Sequence, residues 1–149
     1  MSRRPIEVQP PELPAPRGFA HGMIAEGRVL AVAGQIGSGP NGALVGDDFV
    51  AQFAQALDNV LAVVREAGGD PESIFQMTIF VTDLPAYRAA PAPLRIAWQS
   101  RFGRYYPAMA LLAVSGLVEP GAKVEITALA ALPPPPRYPR RRPEGPAPR

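Results

Sequence analysis

Between positions 50 and 64 the apolar residues Val50, Phe53, Leu57, Val60, Leu61 and Val64 recur at three- and four-residue intervals. That is the period of one buried helical face. Asp47 or Asp48 stands where a side-chain oxygen would cap the first turn, and Gly68-Gly69 follows where a left-handed cap would end the helix. A second helix is expected over residues 91–102. Pro91 and Pro93 are tolerated in a first turn, where no intrahelical N–H is lost. Leu94, Ala97, Trp98 and Phe102 would then be its buried stripe.

The remaining apolar runs are shorter and read as strands. Residues 6–8 form a candidate edge strand within a proline-rich arm over 1–17. Residues 19–25 and 28–33 resemble a hairpin around Glu26-Gly27, after which Gly34-Gln35-Ile36 opens a glycine-rich loop. Residues 75–82 are apolar and β-branched, and Asp83-Leu84-Pro85 starts a short helical turn. Residues 108–114 and 123–132 are the last two strands, joined through the turn Glu119-Pro120-Gly121-Ala122. The order β-β-α-β-α-β-β predicts one α+β domain over residues 18–132: a sheet of about six strands with two helices on one face. The run Ala108-Met109-Ala110-Leu111-Leu112-Ala113-Val114 has no polar alternation, so both of its faces must be covered. Two helices cover one. The second face is expected to pack on another copy of the chain, with cyclic symmetry.

Composition narrows the chemistry. A chain of 149 residues fits one domain. It has no cysteine, which removes disulfides, thiol nucleophiles and thiolate metal sites and favours a reducing, cytoplasmic setting. With one histidine, His21, no metal or other cofactor is expected. The net charge of +2 comes from the end of the chain: residues 133–149 carry five arginines and one glutamate, which leaves about −2 for the rest. The folded part offers no electrostatic footprint for nucleic acid. No apolar run approaches the ~20 residues that span a bilayer, and the basic start leads into prolines rather than an apolar segment, unlike a signal peptide. The tail is too rich in proline and arginine to fold and is read as a disordered extension rather than a proline-rich ligand or basic arm. The glycine loop 37–42 lacks the lysine and hydroxyl residue of a phosphate-binding loop.

Five segments in order carry a resemblance. Gly18-Phe19-Ala20-His21-Gly22, Val32-Ala33-Gly34-Gln35-Ile36, Gln55-Ala56-Leu57-Asp58-Asn59-Val60, Thr78-Ile79-Phe80-Val81-Thr82-Asp83-Leu84, and the closing pair Pro107-Ala108 with Val124-Glu125-Ile126 resemble the RidA (YjgF) family of imine and enamine deaminases. The resemblance implies a chorismate-mutase-like fold, a homotrimer and small-molecule sites in clefts between subunits. It implies that Glu125 positions water, that Gly34 shapes the pocket floor, and that Phe19 replaces a tyrosine. In deaminating members an arginine after Pro-Ala grips the substrate carboxylate; Met109 stands there. A methionine suits an apolar or aromatic ligand. His21 and Tyr106 are further candidates at the cleft, with Tyr105 assigned to packing. Arg104 reads as a solvated helix end near Gly103 or, alternatively, as the residue that swings in to supply the missing cation, and Lys123 is the residue that would neutralise Glu125 in a purely structural role. Two functions stay open: a hydrolytic deaminase with a non-standard substrate, and a non-catalytic ligand-binding trimer. Ribonuclease activity is not expected.

Overall fold

The computed structural model describes residues 4–135. Residues 136–149, most of the expected tail, lie outside the described residues. Six strands and three α-helices follow in the order β1 (Ile6–Val8), β2 (Gly22–Ile24), β3 (Arg28–Ile36), α1 (Phe49–Glu66), β4 (Ile74–Val81), α2 (Leu84–Arg88), α3 (Pro91–Phe102), β5 (Ala108–Ala113) and β6 (Val124–Leu132).

The helices form where their sequence patterns place them. Asp48 caps α1, its Oδ2 accepting from Ala51 N–H at 2.8 Å. Leu57, Val60, Leu61 and Val64 are fully buried. At about 1.5–3 kcal/mol per buried side chain, these four outweigh the cap's contribution of about 1 kcal/mol. Tertiary packing therefore holds α1 in place. Gly68, at φ 87°, supplies the left-handed residue that ends it. Pro91 opens α3 as expected, and Leu94, Ala97, Trp98 and Phe102 are its buried side chains.

The strands depart from the expected single sheet. Four of them form a sheet in the order β3-β6-β4-β5, while β1 and β2 pair separately. The expected hairpin around Glu26-Gly27 does not form: β2 pairs with β1, and β3 runs antiparallel to β6. Nor do β5 and β6 pair with each other. β4 lies between them, antiparallel to β6 and parallel to β5. The side-chain period of two fixes which face a residue takes but not which strand lies beside it.

α1 and α3 cover one face of the sheet, where Met77, Ile79, Val81, Val124, Ile126, Ala128 and Ala130 join the core. The other face carries the alternate residues of the same strands, and in the single chain nothing among the described residues covers it fully. Leu112 there is 41% exposed and Val29 65%. No helix among the described residues is long and apolar enough to cross a membrane.

Candidate functional site

Glu125 sits between Val124 and Ile126, both fully buried toward the helices. Alternation therefore puts its carboxylate on the opposite, open face, beside its cross-strand partner Phe80. There β3 carries one extra residue between Val32 and Gln35, a bulge that bends the strand. The bulge brings Gly34 against the glutamate: a methyl group at Gly34 would overlap Oε1 and lie 2.8 Å from Cδ. Gly34 is needed for this close approach, since its φ is not positive.

Glu125 is half-buried, and no other described residue hydrogen-bonds or ion-pairs with its side chain. Lys123, the expected neutraliser, is committed elsewhere. Its Nζ donates to the Asp47 carbonyl at 2.6 Å and pairs with Asp47 Oδ1 at 3.2 Å. A carboxylate in this state can accept a hydrogen bond from water or take a proton from it.

Met109 lies on the other side of the sheet. It is in register with Met77, which is fully buried under the helices, so its side chain takes the helix face. It lines a cavity of about 410 Å³ whose interior is Phe53, Ile79, Leu94, Trp98 and Leu111. Tyr106 and Phe19 form its sides, and the exposed residues Arg17, Arg88 and Arg95 complete it toward solvent. The aromatic wall is fixed. Trp98 stacks on Tyr106 with ring centres 5.3 Å apart and planes within 2°, and on Phe102 at 4.2 Å. The Trp98 indole N–H donates to the Tyr105 carbonyl at 3.0 Å.

Tyr105 is part of the scaffold. Its hydroxyl donates to the Ile74 carbonyl. Burial, reinforced by the fields of Glu72, Glu7 and Asp70, raises its pKa well above the ordinary tyrosine value. Arg101 likewise holds two elements together: Asp58 accepts from its Nε at 2.6 Å and Nη2 at 2.9 Å. The Asp58 hydrogen bond raises its pKa, against the opposing effect of burial.

A shallower depression of about 260 Å³ is lined by Phe19, Ala20, His21, Gln76, Ala108, Met109 and Ala110. His21 is engaged in it: Nε2 lies 2.8 Å from the Pro14 carbonyl, the donating tautomer, and the ring meets Phe19 edge-on at 5.2 Å.

Phe19, Tyr106 and Met109 are thus brought together, with His21 next to them. Gly34 and Glu125 form a separate pair on the opposite face, so Gly34 is not the floor of the Met109 pocket in one chain. Arg104 does not line the pocket. Sequence reasoning missed Arg17, Arg88 and Arg95, which come from three separate segments and have no shared spacing. Trp98 was found only as core, although its helical position next to Leu94 was a usable signal. Among the described residues no group of three or more His, Cys, Asp or Glu could hold a metal.

Comparison with known proteins adds a consistent set of likenesses. The family described as Endoribonuclease L-PSP matches residues 11–132. The 2-iminobutanoate/2-iminopropanoate deaminase of Escherichia coli strain K12 is 34% identical over 104 residues, covering 70% of this chain and 80% of that protein. RutC family protein PM1466 of Pasteurella multocida is similar to the same degree and extent. Among solved structures, the Rid family protein YyfB from Yersinia pestis, a protein of unknown function, superposes with a TM-score of 0.77 at 31% identity, covering 87% of this chain and all of that one. The YjgF gene product of E. coli gives a TM-score of 0.62 at 31% identity, covering 76% and 87%.

Proposed function

The chain belongs to the Endoribonuclease L-PSP (YjgF/RidA) family, and on that premise we propose that it is a homotrimeric hydrolytic deaminase of a reactive imine or enamine whose substrate is not the small amino-acid-derived imine. The observation that carries this reading is the half-buried carboxylate of Glu125, set against Gly34 with no partner among the described residues. A relative at 34% identity bears the name of an imine deaminase.

The chemistry needs little beyond that carboxylate. A protonated imine carbon is already electrophilic, so water suffices as nucleophile. Glu125 accepts a proton from water as the new C–O bond forms, and the C=N π electrons move to nitrogen. The proton then passes to that nitrogen, the C–N bond breaks, and ammonia leaves as the hydroxyl gives its own proton back to Glu125 and the carbonyl forms; that proton passes on to the departing ammonia, which restores the carboxylate. An enamine enters the same route after protonation on carbon. Met109 and Glu125 take opposite faces of one sheet, so a site that uses both requires two chains. The exposed apolar side chains on the open face of the sheet, Leu112 and Val29 among them, support assembly.

Met109 supports a change of substrate. An arginine there would grip a carboxylate in bidentate fashion; a thioether offers dispersion and ring contacts instead. The same observation supports a second reading, a non-catalytic trimer whose pocket recognises an apolar or aromatic metabolite. A nuclease reading gains nothing from charge, since residues 4–135 are net negative.

The test generates imines in situ with an amino-acid oxidase, from small to aromatic, and follows trapping by semicarbazide. Accelerated loss of an imine should fall on the order of 10²-fold in Glu125→Gln, the usual contribution of a positioned base. If no imine decays faster with the protein, or Glu125→Gln matches the parent, hydrolysis is abandoned for the binding reading.

A further inference from the structure

Five of the nine basic side chains between residues 4 and 135 make no hydrogen bond or ion pair with a described residue: Arg17, Arg65, Arg88, Arg95 and Arg104. The other four are committed, Arg4 to Glu72, Arg28 to the Pro133 carbonyl, Arg101 to Asp58 and Lys123 to Asp47. Three of the five uncommitted arginines line one cavity, the Met109 pocket, and no Asp or Glu joins them in that lining among the described residues. In a body with more acidic than basic residues, such a local excess of positive charge is a concentrated field over a low-dielectric interior. Random scatter of surface charge would mix the signs.

We infer that the Met109 pocket takes a carboxylic acid with an aromatic or branched-alkyl body, its carboxylate held by Arg88 and Arg95 with Arg17 nearby, and its body lying on Met109 and Trp98. This rests on the Met109 pocket being a ligand site and does not depend on hydrolysis. The volume of about 410 Å³ falls within the ~300–1,000 Å³ of ordinary small-molecule sites. Arg88 ends α2 and Arg95 lies in the second turn of α3. Pro91 and Pro93 between them fix φ and so restrict how far the two arginines can move apart. Two guanidinium forks can donate to one carboxylate in its plane. The strand position, Met109, is then free to meet an apolar group. The missing strand cation and the helix arginines become one exchange: the anchor moves outward, and the acid must be longer to span from it to Met109.

Trp98 is the single tryptophan of the chain, and its ring lines the pocket, so its emission reports occupancy directly. The full-length protein is titrated with 3-phenylpropanoate and with its uncharged amide, 3-phenylpropanamide. The expected result is saturable quenching by the acid, with Kd at least tenfold weaker for the amide. Arg88→Gln/Arg95→Gln should weaken the acid at least tenfold and leave the amide unchanged, while Arg104→Gln leaves both as in the parent. Raising salt from 50 to 500 mM should weaken the acid only; this comparison and the acid–amide pair hold even if the double variant does not fold. The proposal is overturned if nothing binds saturably, if acid and amide bind alike, if the double variant binds the acid as well as the parent, or if Arg104→Gln causes the loss. Acid binding without imine hydrolysis sinks the catalytic reading alone; Glu125-dependent hydrolysis without acid binding sinks this one alone.

Discussion

At Gly34 the sheet has room for a hydrogen atom and nothing larger. A methyl there meets the far end of a flexible side chain, the Glu125 carboxylate, before it meets any backbone. Gly34→Ala should therefore displace the carboxylate and cost stability only at the low end of the ~1–3 kcal/mol typical of overpacking. Imine turnover should fall nearly as far as in Glu125→Gln. Denaturant melts alongside the trapping assay check this, and a normal rate in a stably folded Gly34→Ala would remove Gly34 from the site. Gln52 gives the opposite balance. It is fully buried, donates to the Gly46 and Gly121 carbonyls at 2.8 and 3.1 Å, and accepts from Lys123 N–H at 2.9 Å. Gln52→Leu orphans three backbone groups at about 1–3 kcal/mol each, so urea denaturation should show a loss of about 3 kcal/mol or more, with the Met109 pocket unaffected. The helical period exposed the apolar positions of α1 but not this one. Gln52 lies on the buried face as a polar residue, and only the loops that reach it, through Gly46 and Gly121, reveal why.

Elements were legible in proportion to how local their causes are. α1, α3 and the short α2 follow from spacing, caps and prolines that lie within each segment. Strand existence was equally readable, because apolar runs mark themselves. Strand pairing was not. β3 finds its partner in β6, about a hundred residues away, and β4 inserts between β6 and β5, pairings that no local turn specifies. The connection from α3 to β5 shows how such a junction is fixed: Tyr105 donates its hydroxyl to the carbonyl of Ile74, the first residue of β4, and its own carbonyl accepts from Trp98. Its pKa is raised above the ordinary value of 10.0, chiefly by burial. The sign follows directly. The unfolded chain releases this proton more easily than the folded one, so the contribution is intact below about pH 10 and is lost as pH climbs toward the raised folded value. Stability measured by urea melts should be insensitive to this group from pH 7 to 9 and fall above pH 10. Tyr105→Phe should be less stable by about 1 kcal/mol at neutral pH, for one hydrogen bond, and should show a shallower alkaline decline. An unchanged alkaline slope in Tyr105→Phe would assign that decline to other groups.

For the whole molecule, the face opposite the helices decides what the site is. Phe80 and Leu112 lie in cross-strand register with Glu125 on that face, Leu129 and Val29 lie farther along it, and Gln76, Thr78 and Thr127 are interspersed among them; the exposed apolar side chains of this mixed face are the part that assembly would cover. The continuous apolar run of β5 made this demand readable in the sequence. It did not reveal that Met109 and Glu125 would point to opposite faces, because that depends on β5 lying parallel to β4 rather than beside β6. The proposed homotrimer would meet both requirements if it covered that face and set the Met109 pocket of one chain against the carboxylate of another. Light scattering at micromolar concentration should therefore give three times the 15.8 kDa chain mass. Leu112→Glu sets a charge in that face beside Phe80, where an unpaired buried ion costs several kcal/mol. It should shift the mass to one chain while far-UV circular dichroism stays native, since the α1 core lies on the other side of the sheet. Imine turnover should vanish with the trimer and return in part at high protein concentration as mass action reassembles it. A monomeric parent protein that still turns over imines would overturn the two-chain site, and Glu125 would have to act without the Met109 pocket.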